Sequence, residues 1–143
     1  MVALLMACRS ARDRFIVLAL ARGLRRGELV SLRREDIHFV LDARGLGCHI
    51  EGAHLHVARR DAAPRGGFAK SHRPRSVPAD ALFVQAWDAY WWERAACRNA
   101  AESDFLLVNL FREPLGAPMR RSTSSSPHFL GALGWKDQSI RIN

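Results

Sequence analysis

The run Phe15-Ile-Val-Leu-Ala-Leu-Ala is the strongest constraint on how this 143-residue chain folds. It contains no polar residue, so a helix built through it is apolar on every side, and such a helix belongs inside a core. The run is too short to span a bilayer, which takes about 20 apolar residues. It is not a secretion signal either. Arg9, Arg12, Asp13 and Arg14 stand between it and the apolar Met1 to Ala7, whereas a signal peptide carries its charges ahead of the apolar stretch. Ser10 is placed to cap the helix start, Asp13 falls in the first turn where a negative charge suits the dipole, and Gly23 is placed to end it. The expectation is a soluble cytoplasmic protein with no membrane partner.

Further along, residues 1–9 read as a short helix, and a second short helix covers 26–32, with Leu29 and Leu32 as an i, i+3 pair. Asp36 to Leu41 alternates, placing Ile37, Phe39 and Leu41 on one face of a strand. His54 to Val57 and Arg75 to Pro78 read as two more strands, separated by a loop with Pro64, Gly66 and Gly67. Together they predict a small antiparallel sheet over 36–78. A long helix is predicted over 80–101, where Leu82, Phe83, Ala86, Trp87, Tyr90 and Arg94 recur at helical spacing. Phe105 to Leu110 is a short apolar run, strand or extended, and Pro114, Gly116 and Pro118 make a loop. The expected fold class is α+β, mainly helical with a small antiparallel β-sheet. One domain is expected over 1–120, followed by a disordered, low-complexity tail over 121–143.

The charge balance points to a partner. With 22 Lys+Arg against 14 Asp+Glu the net charge is +8, and the pI is about 10.9. Such an excess favours an anionic ligand, nucleic acid first. The three cysteines, Cys8, Cys48 and Cys97, are far apart and form no C-x-x-C pair, so neither a disulfide framework nor a zinc site is expected, and a reducing compartment fits. His54 and His56 lie two apart on a strand, as metal ligands can, but no third ligand is in view and packing or surface placement is favoured. No metal and no cofactor are expected. Trp87, Trp91 and Trp92 have the spacing of a core-facing helix stripe, which is favoured over base stacking.

The stretch Ala21-Arg-Gly-Leu-Arg-Arg-Gly-Glu-Leu-Val-Ser-Leu-Arg-Arg-Glu-Asp-Ile resembles T-G-L-R-x-x-E-L-x-x-L-x-x-x-D-I, a pattern of the tyrosine recombinase (phage integrase) catalytic domain. Gly23, Leu24, Arg25, Glu28, Leu29, Leu32, Asp36 and Ile37 match in register, while Arg22 stands where Thr or Ser is usual. Ala69-Lys-Ser-His-Arg-Pro-Arg-Ser-Val-Pro is similar to the same family's hairpin pattern G-K-x-x-K-x-R-x-V-P, through Lys70, Arg73, Arg75, Val77 and Pro78. The resemblance covers residues 3–120 and corresponds to the N-terminal part of the family's catalytic domain.

The resemblance implies site-specific DNA recombination or integration on double-stranded DNA, by a protein that oligomerises on its target. Family members attack the scissile phosphate with a tyrosine and use no metal. It also implies roles by position. Arg25 would give two hydrogen bonds to phosphate oxygens, since its planar fork stays charged at any usable pH. Such donors, aimed at a developing oxyanion, are often the largest catalytic effect. Glu28, three residues on, would orient Arg25. Lys70 would be the general acid for the departing oxygen. Arg26, Arg73 and Arg75 would contact phosphates, which gives affinity without sequence choice. On residue types alone, Arg25, Arg26 and Glu28 can equally be a solvated helix start, and Lys70, Arg73 and Arg75 can be edge-strand charges that prevent aggregation.

The family pattern continues with H-x-x-R and then the nucleophilic tyrosine, and there this chain departs. His128 lies in a Ser-Pro-His-x-Leu context, but Gly131 stands where the arginine belongs, so His128 reads as a tail residue. Tyr90 is the sole tyrosine, in the wrong order and inside the predicted long helix. The expectation is a truncated or frame-disrupted recombinase that binds DNA at most. A non-catalytic DNA-binding module and one half of a split recombinase remain open, with an unrelated metal hydrolase least favoured.

Overall fold

The computed structural model describes residues 2–58 and 74–120. Lys70, Arg73 and His128, the loop predicted around Pro64 to Gly67, and the predicted tail lie outside them. Among the described residues the fold is α+β, with four α-helices and a three-stranded antiparallel sheet. The helices are α1 (Val2–Ala7), α2 (Ala11–Ala21), α3 (Arg26–Ser31) and α4 (Ala81–Ala95); the strands are β1 (Ile37–His38), β2 (His54–Val57) and β3 (Arg75–Pro78), in sheet order β1-β2-β3. No helix among the described residues is long and apolar enough to cross a membrane.

The apolar run forms α2, and Phe15, Ile16, Val17, Leu18 and Ala19 are all buried. Ser10 caps it by accepting the Asp13 N–H at 3.1 Å. Gly23, at φ +84°, closes it. The Gly23 N–H reaches the Leu20 carbonyl and the Leu24 N–H reaches that of Ala19, so the last carbonyls are satisfied and Leu24 turns back into the core.

Helix α4 runs antiparallel to α2 and is tied to it at both ends. Asp80 caps α4 by accepting the Phe83 N–H at 2.9 Å and pairs with Arg22 at the end of α2, whose guanidinium lies 4.5 Å over the Phe83 ring. At the other end, Glu93 accepts the Ala11 and Arg12 N–H groups, capping α2 from α4. Between these ties Phe15 stacks on Phe83 and Tyr90.

In the sheet, Ile37, Leu55 and Val77 stand opposite one another across the three strands, and this row faces the helices. His38 and His54 are paired one position along, so they point to the other face, and His56 joins them two residues further on β2.

Two predicted elements are shorter than expected. Strand β1 stops at His38; Leu41 is 89 % exposed rather than on the inner face, because regular pairing ends at His38–His54 and resumes only as a single bridge between Asp42 and Glu51. Helix α4 stops at Ala95, followed by a 3-10 turn at Arg98–Ala100. There the buried Arg94 donates to the carbonyls of Ser103 and Phe105, which requires the chain to turn back. Phe105 to Leu110 is extended, held by single bridges from Arg33 to Phe105 and Val108 to Pro118. Within it Leu106, Leu107 and Val108 are fully buried. Gly116 (φ +75°) closes the return, and a Cβ there would run into the Asn99 backbone.

Candidate functional site

The residues singled out in the first motif sit at the start of α3. The chain leaves α2 through the Gly23 turn and enters α3 with Arg25 as the flanking residue in extended conformation. Glu28 lies one turn inside, where its side chain folds back and accepts the Arg25 backbone N–H at 2.9 Å. This is half of a capping box, and it fixes the backbone from which the Arg25 side chain leaves.

Glu28 is 1 % exposed, so its charge needs a partner. Arg75 on β3 supplies it: both terminal nitrogens donate to the carboxylate at 2.8 Å, in the bidentate arrangement that suits a guanidinium. One of them also donates to the Gly23 carbonyl at 3.3 Å. These Arg75 hydrogen bonds, acting against burial, hold Glu28 below its ordinary carboxylate value of 4.5, and Glu28 raises Arg75 in return. The carboxylate therefore pairs with Arg75 rather than with the Arg25 side chain; it holds Arg25 by its backbone N–H, and the Arg25 guanidinium adds only a weaker charge interaction. The Arg25 guanidinium is exposed and makes no hydrogen bond or ion pair among the described residues. Arg26 opens α3, half-buried.

The structure thus brings together Arg25, Glu28 and Arg75, with Arg26 adjacent. Arg22, in the place of the family's Thr or Ser, belongs instead to the Asp80 pair that ties α2 to α4.

Tyr90 is fully buried, and its hydroxyl donates to the Leu106 carbonyl at 2.7 Å. Burial pushes its pKa up to about 12. Neither access nor ionisation suits a nucleophile. Tyr90→Phe is expected to lower stability by about 1–2 kcal/mol, since it leaves a buried carbonyl unpaired. Neither wild type nor variant should form a covalent adduct with duplex DNA on denaturing gels; an adduct lost in Tyr90→Phe would overturn this placement.

Of the three tryptophans expected in the core, Trp87 packs on Phe15 and Tyr90, and Trp91 is half-buried against Trp87, but Trp92 is 76 % exposed. Counted at about 100° per residue from Phe83, it falls on the opposite side of α4.

One set of side chains able to hold a metal also appears: His38, Cys48, His54 and His56, with their ligand atoms within 4.8 Å of one another. The expectation that the His54–His56 pair lacks further ligands is corrected. The third, His38, is brought in by β pairing, and the fourth, Cys48, by the turn of the loop before β2. Burial first, then the neighbouring His38 and His54 rings, lowers the His56 pKa, which favours neutral imidazole.

Compared with family models, with curated proteins and with solved structures, the chain matches none.

Proposed function

We propose that these residues form part of a tyrosine-recombinase-type catalytic domain, one that grips the phosphates of double-stranded DNA and does not itself cut it. The observation that carries this reading is the Glu28–Arg75 pair. The two stretches that resemble the family's motifs meet in space through it, although the paired residues are 47 apart in sequence. The chain's net charge of +8 supports an anionic partner.

In this reading Arg25 is the phosphate ligand. Its backbone is pinned by Glu28 and its guanidinium is left to solvent, so little ordering remains to be done when a phosphate arrives. Arg75 positions the corner by matching the charge of Glu28, and Arg26 adds a contact. Lys70 and Arg73, outside the described residues, would extend the contacts along the backbone and supply the proton donor in a complete site. Tyr90, the chain's sole tyrosine, does not take the nucleophile's role in this reading, since it is buried and hydrogen-bonded.

The test is the salt dependence of binding to duplex DNA. Each neutralised phosphate contributes about −0.9 to the slope of log K against log salt, so Arg25→Ala is expected to make the slope shallower by about 1 and weaken binding evenly across sequences. Its stability should stay within about 0.5 kcal/mol of wild type, because the side chain is exposed. An unchanged slope and affinity in the folded variant would remove Arg25 from the interface. Absence of DNA binding by wild type at low salt would sink the proposal as a whole.

A further inference from the structure

We propose that His38, Cys48, His54 and His56 form a structural site for a divalent transition metal, zinc being the metal this donor set suits best. Antiparallel pairing places His38 directly across from His54, and His56 follows two residues on, so three imidazoles share the sheet face turned away from the helices. The loop between β1 and β2 supplies the fourth group. A 3-10 turn at Arg44–Leu46 ends in Gly47 at φ +74°, and the Cys48 N–H then donates back to the Ala43 carbonyl, which brings the thiol over the histidines.

The distances are those of a coordination polyhedron. Zinc bonds of about 2.3 Å to sulfur and about 2.0–2.1 Å to nitrogen, at tetrahedral angles, give sulfur–nitrogen edges of about 3.6 Å and nitrogen–nitrogen edges of about 3.4 Å. Here Cys48 Sγ lies 3.4 Å from the Nε2 atoms of both His54 and His56, and those two atoms are 3.1 Å apart. Three edges are therefore within about 0.3 Å of a zinc tetrahedron. His38, within 4.8 Å of the others, has no more than about 1.4 Å to close.

Two independent observations point to a ligand. His54 Nδ1 lies 2.7 Å from the Gly52 carbonyl, an atom that can only accept, so Nδ1 carries the proton. In the neutral ring Nε2 is then a lone pair aimed into the cluster, which is the outer-shell arrangement of metal-bound histidines. In addition, His38 is 9 % exposed and its Nδ1 is buried with no hydrogen-bond partner. Hydrogen bonding within the cluster accounts for only part of this: His56 can donate from Nε2 to the His54 lone pair, but the buried His38 Nδ1 is left over whichever way the protons are placed.

One thiolate with three imidazoles selects zinc and its softer neighbours over calcium or magnesium. Four protein ligands fill a tetrahedron and leave no open position, so the role is structural rather than hydrolytic. The ion would lock β1 to β2. Through the His56–Ser76 and Val57–Arg75 pairings it would also stiffen β3, which carries Arg75. The inference stands independently of DNA binding.

The experiment uses the reduced, untagged full chain, with Co(II) as a spectroscopic probe and Zn(II) as competitor. Expected are one equivalent of bound metal, the intense visible bands of tetrahedral Co(II), a thiolate charge-transfer band in the near ultraviolet, and displacement by zinc. The melting temperature should rise with zinc. Cys48→Ala, in a half-buried loop position, should lose the charge-transfer band and the zinc-dependent rise, while Cys8→Ala and Cys97→Ala keep both. If Cys48→Ala fails to fold, as judged by circular dichroism, His56→Gln takes its place and should lose the one-equivalent stoichiometry. A wild type with no charge-transfer band, or a band that follows Cys8 or Cys97, overturns the proposal.

Discussion

Arg75→Ala is expected to destabilise the fold by about 3 kcal/mol at neutral pH, and the deficit is expected to shrink in acid. Glu28 is 1 % exposed and keeps its charge because two Arg75 nitrogens and the Arg25 N–H donate to it. Removing one partner of a buried pair typically costs about 3–5 kcal/mol, since the remaining charge is stranded. The lower end applies because the Arg75 side chain is 37 % exposed and water reaches one side of the pair. The folded pKa of Glu28 is depressed below 4.5, so its contribution is fully present above that pH and is lost as the pH falls through the folded value. In the variant the Arg75 contacts are gone and burial is opposed only by the Arg25 N–H and the Arg25 charge, so the carboxyl pKa lies above its wild-type value, it takes up a proton sooner as the pH falls, and the deficit narrows. Urea unfolding of both proteins from pH 7 to below pH 4 reads this directly. Glu28→Gln is expected to cost less, because Arg75 can turn its charge to water. A deficit that is constant with pH, or below about 1 kcal/mol at neutral pH, would mean that the pair behaves as an exposed one.

The Glu28–Arg75 pair also marks the boundary of what the sequence can tell. Each residue is legible alone, by position in a motif, but their meeting depends on β3 lying beside the α2–α3 turn, which no local spacing encodes. Helix α2 was legible because burial there is uniform: no choice of face is needed when every residue is apolar, and Ser10 and Gly23 mark its ends by conformation. Strands β2 and β3 follow from alternation, whereas β1 does not, because Ile37, Phe39 and Leu41 alternate whether or not a partner exists beyond His38. Trp92 was misplaced by grouping it with Trp87 and Trp91, although its angle on α4 sets it opposite Phe83. The metal-ligand set lay furthest from view. Two ligands sit at a visible i, i+2 spacing, but His38 arrives by strand register and Cys48 by a loop turning through Gly47.

Phe15→Ala is expected to cost about 3–5 kcal/mol, in the upper half of that range. Phe15 is fully buried, with its ring centroid 5.1 Å from that of Phe83 and 5.7 Å from those of Tyr90 and Trp87. The cost of a truncated core side chain depends on whether the surroundings can collapse into the space. Here they cannot easily do so. Arg22 and Asp80 fix one end of the α2–α4 pair, and Glu93 capping Ala11 and Arg12 fixes the other, so the helices are held apart at both ends. The aromatic contacts are lost in addition to the buried area. Against a typical domain stability of about 5–15 kcal/mol, a loss of that size removes roughly a third of the stability at the upper end of the range and nearly all of it at the lower end. Trp92→Ala, an equally drastic truncation on the partner helix α4 but at a position 76 % exposed, should stay within about 0.5 kcal/mol of wild type. Denaturant midpoints of the two variants give the comparison. A Phe15→Ala loss below about 2 kcal/mol would mean that the helices close over the space after all. The ties at Asp80 and Glu93 would then be weaker constraints than their geometry implies.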